Sequence, residues 1–357
     1  MESKVVPSDA TRGGYENSLG KPNEKYLFLC SSRFEETKIA LDETGINFDY
    51  IFPSSLASRG ISLGARLLKK YCGVIIDGHR IGLVGGGFYS WVKGFDYFVR
   101  LRGDVWHETS VGALSSWSNR LWVKLGDGYL NEAKSILVVS KYLGDRVVSR
   151  YPSLDQKIRV IPPAIDVNHF VKNEKMRSDS LRLITVTNFD HWKKISPLIE
   201  YADQLRDFLK SIDGISIDIL GGGKYLDKVA ETFEQKGVNA HFRGYVDNVK
   251  EYLDSGDIYF HLSELDSFGK AVIEAQAMQL PAVVSNSGGL PETIRDKKTG
   301  FLVCNQEEFL DKVYELVENE KMRHEMGNAA RNHVMRNFSP WAIGKKFVEI
   351  LVEIDFE

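Results

Sequence analysis

Runs of apolar, β-branched residues alternate along the chain with longer segments in which apolar positions recur every three or four residues. The runs predict buried strands and the longer segments predict helices, an alternation typical of parallel α/β proteins. In the first half of the chain the predicted strands are 25–30, 48–52, 74–77, 97–101, 136–140 and 157–161. In the second half they are 181–187, 215–220, 240–243, 258–262 and 281–285.

Predicted helices lie between and after these strands, at 35–44, 62–71, 119–133, 195–209, 225–236, 249–255, 307–318, 322–337 and 340–354. A chain of 357 residues is too long for one ordinary domain and suits two. Pro162 and Pro163 end the last strand of the first half and begin a linker. We therefore predict a flexible lead-in over 1–24, a Rossmann-like domain over 25–168, a second over 169–339 and a closing helix over 340–357.

One segment, 263–303, carries most of the functional information. It contains a predicted turn that opens a helix, a buried strand, and a second tight turn at Gly288-Gly289 that leads into another helix. A helix N-terminus presents unpaired N–H groups and a partial positive charge, which suit a diphosphate, and a glycine lets the ligand approach closely. Gly269 supplies this glycine, and the candidate donor-binding residues around it are Asp266, Ser267, Phe268, Gly269 and Lys270.

A carboxylate follows the first turn at a useful distance. Glu274 lies five residues beyond Gly269, which is roughly 7.5 Å along a helix at 1.5 Å per residue. That is about the separation between the diphosphate and the ribose of one nucleotide, and a carboxylate accepts hydrogen bonds from ribose hydroxyls. The order of these elements predicts a nucleotide-sugar site.

The segment resembles the donor-site signature of the retaining glycosyltransferases of family 4, which have the GT-B fold. That signature runs Glu, seven residues, Glu, then Gly-Gly-x-Pro-Glu and Thr-Gly-Phe/Leu-Leu-Val. This chain has Asp266 where the first Glu is expected, Glu274 at the second, and then 288–292 and 299–303. The resemblance covers 130–340 well and the first 125 residues poorly. It implies two Rossmann-like domains whose parallel sheets face a central cleft, with the closing helix returning to the first domain.

The resemblance also implies roles for residues that follow two strands of the second half. Lys193 and Lys194 stand where the family places an Arg and a Lys that grip the donor diphosphate, and Asn188 stands near the Arg position. A lysine pair on a loop is otherwise often only solvated. Gly222 and Gly223 follow the next strand, either as a close approach to the ligand or as a plain strand-to-helix turn.

The first-domain side of the reaction is less defined. Many family members carry a histidine at the end of the strand that here is followed by Arg102, and the nearest histidine is His107. Asp104 either acts on sugar hydroxyls or caps a helix. The candidate catalytic residues are thus Asp104, His107, Lys194 and Asp266. A glycine-dense loop at 82–91 is either structural, acceptor-binding or an aromatic membrane anchor.

Composition narrows the remaining possibilities. Hydrophobic residues make up 43% and charged residues 27%, as in ordinary globular proteins. The three cysteines are scattered, and the histidines show no metal-ligand spacing, so we predict no disulfide framework, no metal and no cofactor other than the nucleotide-sugar substrate. No apolar run is long enough to span a bilayer. We predict a cytoplasmic protein that binds no nucleic acid.

The first half is mildly basic and the second acidic, which either favours peripheral contact of the first domain with an anionic membrane or is ordinary scatter. The resemblance implies transfer of a sugar from a nucleotide-sugar to a glycan, lipid-linked or other acceptor with retention of configuration, without metal. The base and the sugar stay open. Two alternatives remain: another GT-B sugar-nucleotide enzyme, such as an epimerase or a phosphorylase-like enzyme, and a catalytically silent binding protein.

Overall fold

The computed structural model describes residues 25–29, 35–44, 47–51, 71–78, 87, 90, 94–107, 117–173 and 180–355. Within them the chain forms two six-stranded sheets and divides into two compact units. The first unit holds the described residues up to Leu101, 122–137 and the segment from Pro340, and the second holds 102–121 and 138–339. The domain boundaries derived from the sequence stay a prediction.

The first sheet has the strand order β2-β1-β3-β4-β5-β6. Its core pairs, β1 with β2 and β3, and β3 with β4, are parallel. Central residues such as Leu27, Ile75 and Val99 are fully buried, as expected for strands covered on both faces. The strands are β1 (Lys25–Leu29), β2 (Asn47–Ile51), β3 (Gly73–Asp77), β4 (Asp96–Leu101), β5 (Ser135–Val138) and β6 (Ile158–Val160).

The described helices along this half are α1 (Glu35–Asp42), α2 (Trp117–Glu132), α3 (Lys141–Arg150) and, from the end of the chain, α11 (Pro340–Asp355). Helix α11 packs against α1 so closely that a Cβ at Gly344 would lie 2.4 Å from the Ala40 carbonyl oxygen. On β4, the buried Arg100 donates to Thr37 at 2.8 Å and lies over the ring of Phe347. These contacts join both helices to the first sheet.

The second sheet has the order β12-β11-β10-β7-β8-β9, and its pairs are parallel. The chain starts in the middle at β7, runs outward through β8 and β9, then returns to the other side of β7 for β10. The strand order therefore reverses between β7 and β10. The strands are β7 (Leu181–Val186), β8 (Ile215–Leu220), β9 (Ala240–Gly244), β10 (Ile258–His261), β11 (Ala282–Ser285) and β12 (Gly300–Val303).

Helices cover both faces of this sheet and bury a separate apolar core on each. Alternation along β10 sends Phe260 into one core and Tyr259 into the other. The helices are α4 (Trp192–Glu200), α5 (Ala202–Ser211), α6 (Leu226–Lys236), α7 (Val249–Asp254), α8 (Lys270–Ala277), α9 (Gln306–Glu318) and α10 (Glu320–Asn337). In the described parts of the chain no helix is long and apolar enough to cross a bilayer.

Eleven of the twelve described strands and most helices agree with the sequence-based expectation of a parallel α/β fold, but four local features differ. Strand β12 was not predicted, because its residues were read only as part of the motif at 299–303. Helix α3 was not predicted, because Gly144 and its polar surroundings weaken the pattern. The predicted helix 195–209 is two helices that meet at Tyr201, four residues after Pro197. The turn at 288–289 leads into a single 3-10 turn, Leu290–Glu292, instead of an α-helix. Of the predicted helix 62–71, residues 62–70 lie outside the described residues.

Candidate functional site

The strand-order reversal between β7 and β10 locates the candidate site. In open parallel sheets, ligands bind beyond the carboxyl ends of the strands at such a reversal. Here Ile184 of β7 pairs with Tyr259 of β10, so the segments that follow these strands begin side by side. One segment leads to Lys194 and the other to Asp266, which stand 72 residues apart in sequence.

Lys194 and Asp266 form a mostly buried ion pair. The Lys194 Nζ atom lies 2.7 Å from Asp266 Oδ1, and the side chains retain 26% and 11% of their exposure. Burial raises the pKa of the Asp266 carboxyl, but the Lys194 ammonium and the His261 imidazole outweigh it and hold that pKa well below its usual range. Asp266 is therefore ionised near neutral pH, and Lys194 is held in place at the strand ends.

The two predicted turns pack backbone to backbone. The Gly289 N–H donates to the Asp266 carbonyl at 2.7 Å. A Cβ at Gly288 would lie 2.4 Å from that same carbonyl oxygen, and a Cβ at Gly289 would lie 2.3 Å from the Ser267 carbonyl oxygen. Gly288 also has a φ of +57°, which favours glycine. The glycine pair thus serves the close approach of the turns to each other.

Helix α8 begins where the sequence places the diphosphate site. Gly269 precedes it with a φ of +97°, and Lys270 is its first residue. The first N–H groups of a helix have no acceptor inside the helix, so they are suited to an anion. One turn further, Glu274 lies 3.1 Å from Lys270 and is 14% exposed. The predicted phosphate and ribose contacts therefore lie along one side of a single helix.

The other residues predicted to bind the donor range from buried to exposed in the structure. Phe268 is buried and packs edge-on against Phe338, at 5.6 Å between ring centres, so its ring belongs to the core. The Ser267 carbonyl accepts from the Ser140 hydroxyl. Lys193 is exposed, and its carbonyl accepts from the Glu264 N–H at 2.8 Å.

The glycine turn after β8 contacts the loop after β7. A Cβ at Gly223 would lie 2.4 Å from the Phe189 carbonyl carbon, and Gly222 faces Tyr245 at 3.4 Å. Asn188 is exposed, and its Oδ1 accepts from the Asp190 N–H at 2.7 Å. The close contact between the two loops is sufficient to require a glycine at position 223. A plain strand-to-helix turn therefore explains this residue without a ligand.

Asp104 and His107 lie together beyond β4. Asp104 is 6% exposed, and its Oδ1 accepts from the His107 N–H at 2.9 Å, the capping role weighed from the sequence. Its Oδ2 accepts from Arg146 Nε at 2.9 Å and lies 2.8 Å from Arg146 Nη2. This two-pronged ion pair raises the pKa of Arg146. The Asp104 carboxylate thus already has two partners.

Several residues around the site were not singled out from the sequence. His191 precedes α4 and is partly buried; burial, followed by Lys194, lowers its pKa, and His107 contributes to the same effect. His107 therefore lies within electrostatic reach of a residue beside Lys194. Glu292, at the end of the second turn, accepts from the N–H groups of Lys141 and Tyr142 at 2.8 and 2.9 Å. Its carboxylate thus caps the N-terminus of α3.

His261 was also missed, because its strand reads as a plain apolar run. Its Nε2 lies 2.9 Å from Asp266 Oδ2, and its Nδ1 lies 3.2 Å from the Tyr259 hydroxyl. A histidine inside a buried strand, five positions before the acid of the signature, is the signal that identifies it. Across the described ranges, no three His, Cys, Asp or Glu side chains converge as a metal site would require. Most of the loop 82–91 lies outside the described residues.

Comparison with known sequences agrees with the geometry. Residues 167–333 match the family model described as glycosyl transferases group 1. The chain is 25% identical to a trehalose synthase of Pyrococcus horikoshii, over 56% of this chain and 54% of that protein. It is 26% identical to the N-acetyl-alpha-D-glucosaminyl L-malate synthase of Bacillus anthracis, over 53% and 50%. The chain thus spans about half the length of these curated relatives.

Comparison with solved structures covers nearly the whole chain. The crystal structure of Anabaena Alr3699/HepE in complex with UDP and glucose aligns with a TM-score of 0.73 at 15% identity. The alignment covers 93% of this chain and 100% of that structure. Identity this low shows the fold alone, and that fold is the GT-B fold expected from the sequence.

Proposed function

We propose that this protein, whose residues 167–333 match the model of the glycosyl transferases group 1, transfers a sugar from a nucleotide-sugar to an acceptor hydroxyl. The observation that carries the proposal is the meeting of Lys194, Asp266 and the start of α8 at the strand-order reversal. Lys194 contacts Asp266, and the helix that carries Glu274 begins at Lys270, four residues after Asp266. The UDP and glucose bound to the Anabaena neighbour support a nucleotide-sugar as the donor class.

In the proposed reaction the protein stabilises the departing nucleotide diphosphate. The Lys194 ammonium and the first N–H groups of α8 balance the charge that grows on the diphosphate as the glycosidic bond breaks. Glu274 holds the ribose hydroxyls, which fixes the position of the bond that breaks. The acceptor hydroxyl attacks on the face that the diphosphate leaves, so the configuration is retained. No protein-held metal is part of this proposal.

The acceptor we propose is a glycan or a lipid-linked hydroxyl. For Asp104, the partners in the structure favour a positioning role through Arg146 over direct contact with sugar. His107, which lies near His191, is the better candidate to contact the reacting groups from this side.

The first test of the function is donor binding. We would record thermal unfolding of the protein with UDP-, GDP-, ADP- and dTDP-sugars, each with and without a chelator. A ligand at 100 times its Kd stabilises the folded state by about 2.7 kcal/mol, which raises the unfolding temperature measurably. A rise with one base, unchanged by chelator, supports the donor site and metal independence. No rise with any donor contradicts the proposal.

A matched pair of variants assigns the binding to the site. Glu274→Ala should lose most of the donor-induced stabilisation. Because the Glu274 side chain is only 14% exposed and lies 3.1 Å from Lys270, the donor-induced rise is measured against the unfolding temperature of the free variant. Glu318→Ala, at an exposed position of α9, is the control and should behave as the wild type. Donor binding by Glu274→Ala at wild-type affinity would rule out the ribose contact.

Product analysis separates the alternatives that share the same pocket. An epimerase or a phosphorylase-like enzyme would change the donor without an acceptor sugar, whereas a transferase needs one. The anomeric configuration of the product, read by NMR, tests retention. Donor binding without turnover over a broad acceptor panel would instead favour a catalytically silent binding protein.

We also propose that α2 brings the protein to an anionic membrane. Three large apolar side chains follow one another every four residues on its exposed face: Trp117 is 78% exposed, Leu121 40% and Leu125 46%. Arg120 and Lys124, also exposed, flank them on the same face. An apolar stripe beside cations fits the boundary between acyl chains and anionic headgroups.

Sedimentation with lipid vesicles tests this contact. The protein should bind phosphatidylcholine vesicles that contain phosphatidylglycerol, and less so those without it. Trp117→Ser should weaken binding, whereas Tyr314→Ser, which changes a 51% exposed aromatic residue on α9, should not. Equal binding by both variants, or none by the wild type, would contradict the proposal.

A further inference from the structure

A chain of buried polar groups lies behind Lys194. Asp266 Oδ1 accepts from Lys194 at 2.7 Å, and Asp266 Oδ2 lies 2.9 Å from His261 Nε2. On the far side of the ring, His261 Nδ1 lies 3.2 Å from the Tyr259 hydroxyl, which lies 3.3 Å from the Val186 carbonyl oxygen. The chain thus runs from the site into the middle of the sheet.

The polar side chains of this series are buried at positions that apolar side chains ordinarily occupy. Tyr259 is 0% exposed, His261 4% and Asp266 8%. Tyr259 and His261 are two residues apart on β10, so they face the same side of the sheet and their rings stack at 6.3 Å. Burying polar atoms is costly unless they are hydrogen-bonded, and here each atom named above has a partner. A linked arrangement of this kind holds its members in fixed positions.

This series of hydrogen-bonded groups can accommodate both the neutral and the protonated imidazole of His261 without the loss of a hydrogen bond to the ring. In the neutral state Nε2–H donates to Asp266, and Nδ1 accepts from the Tyr259 hydroxyl. In the protonated state Nδ1–H donates to the Tyr259 oxygen, and the hydroxyl hydrogen turns to the Val186 carbonyl. Histidine is the side chain that ordinarily changes charge between pH 5 and 8. The hydroxyl of Tyr259 is what makes both states possible.

We infer that His261 is a positioning residue for the donor site: through Asp266 it holds the Lys194 ammonium in place, and it takes up a proton when an anionic diphosphate binds Lys194. This inference rests on the proposed function. Before the ligand arrives, Lys194 balances Asp266. When Lys194 also contacts a diphosphate, Asp266 faces an added negative charge, and protonation of His261 restores the balance.

The charged and titratable groups around the imidazole agree with this direction. Asp266 faces it from the segment after β10, and Tyr259 from β10 itself. Lys194 reaches Asp266 from α4. Glu274 of α8 acts electrostatically on Tyr259, so it adds negative charge on the same side. Two carboxylates lie near the ring, and each has an ammonium partner: Lys194 pairs with Asp266, and Lys270 pairs with Glu274. An incoming diphosphate therefore adds negative charge to a balanced set.

Calorimetric titration of the full chain with UDP- and GDP-sugars, at pH 5.5 to 8.5 and in two buffers of different ionisation enthalpy, tests the inference. Nucleotide-sugars are used because they lack the terminal phosphate of UDP and GDP, which itself takes up a proton at about pH 6. The wild type should take up protons on binding and bind more weakly as the pH rises. His261→Gln keeps a neutral donor to Asp266 but cannot be protonated, so it should bind without proton uptake and with a flat pH profile. His324→Gln, at an exposed position of α10, should keep the wild-type profile.

Two further variants separate holding from proton uptake. His261→Phe removes the donor to Asp266 and should weaken nucleotide binding at every pH by at least ten-fold, about 1.4 kcal/mol, while thermal unfolding confirms that it is folded. Tyr259→Phe removes the group that accepts from a protonated ring, so its proton uptake should move to lower pH. If His261→Gln keeps the wild-type profile, or if His261→Phe folds and binds normally, the inference is wrong although donor binding stands. If the wild type binds neither nucleotide nor any nucleotide-sugar, the proposed function fails and the inference fails with it.

Discussion

Replacing Lys194 by Met removes the ammonium while keeping most of the side-chain volume. At 2.7 Å, the ion pair with Asp266 has a gross Coulomb energy of about 6 kcal/mol at an effective dielectric constant of about 20. Breaking one side of a buried pair typically costs about 3–5 kcal/mol. Because Lys194 keeps 26% exposure and His261 still donates to Asp266, we expect a loss just below that range, about 2–3 kcal/mol.

Urea unfolding at pH 7.5 measures this loss, with Lys194→Met/Asp266→Asn as the matched control. The double variant should recover stability, because it no longer buries an uncompensated carboxylate, but it should not recover donor binding. Both single and double variants should lose about 10²–10³-fold in turnover, as removal of one charge-stabilising group typically does. A loss of stability below about 0.5 kcal/mol for Lys194→Met, the scale of a neutral surface change, would refute the reasoning.

The pH dependence of this loss follows from the direction of the pKa shift. Asp266 has a lower pKa in the folded protein than in the unfolded chain. Its contribution to stability is therefore complete above about pH 4, the ordinary range of a carboxyl group, and is lost as the pH falls through the lower, folded-state value. The stability difference between the wild type and Lys194→Met should shrink below about pH 4.

Three more outcomes are expected. Gly288→Ala places a Cβ 2.4 Å from the Asp266 carbonyl oxygen at a φ of +57°. It should therefore lower the free energy of unfolding in urea by at least about 2 kcal/mol. Wild-type stability of this variant would contradict the packing of the two turns. Glu292→Gln removes the negative charge of the group that accepts from Lys141 and Tyr142 at 2.8 and 2.9 Å. Thermal unfolding should show a loss of about 1 kcal/mol in stability. An unchanged stability at low salt would argue against the cap. Burial, with Arg295 adding to it, lowers the pKa of His333 from 6.5 to about 4. The free energy of unfolding of the wild type should therefore decrease as the pH falls from 6.5 to 4. An equal decrease in the His333→Gln variant would assign the loss to another group.

The sequence was sufficient for all described strands but β12 and for the backbone of the site. Long apolar runs separated by glycine and proline have few alternatives to buried parallel strands, and the strand-turn-helix order at Asp266 and Glu274 follows from local patterning. Helix α3 was missed because a glycine inside a helix normally weakens it. In the structure Gly144 lets the helix approach the sheet, since its Cβ would lie 3.0 Å from Ile158. The Ser140 cap, which accepts from Leu143, was the available signal.

The contacts between side chains were not accessible to the same reasoning. Asp104 was a candidate acid, and only its distances to Arg146 show that its carboxylate is already engaged. His261 was not predicted as a site residue. Its strand is buried at every position, so the alternation of side chains does not indicate which polar residue has a hydrogen-bond partner. Gly223 was ambiguous until its neighbours were known, because the same residue type serves a ligand or another loop. Such pairings depend on elements that are distant in sequence.

The backbone contact between the two turns bears on how donor preference could be changed by directed evolution. Because a Cβ at Gly288 or Gly289 would meet the carbonyl oxygens of Asp266 and Ser267, these two glycines are poor positions for substitution. A library that randomises them would lose most of its members to destabilised protein. Diversity is better placed at Lys193 and Lys270, which are exposed beside the site and where a substitution adds no side chain between the backbones of the two turns.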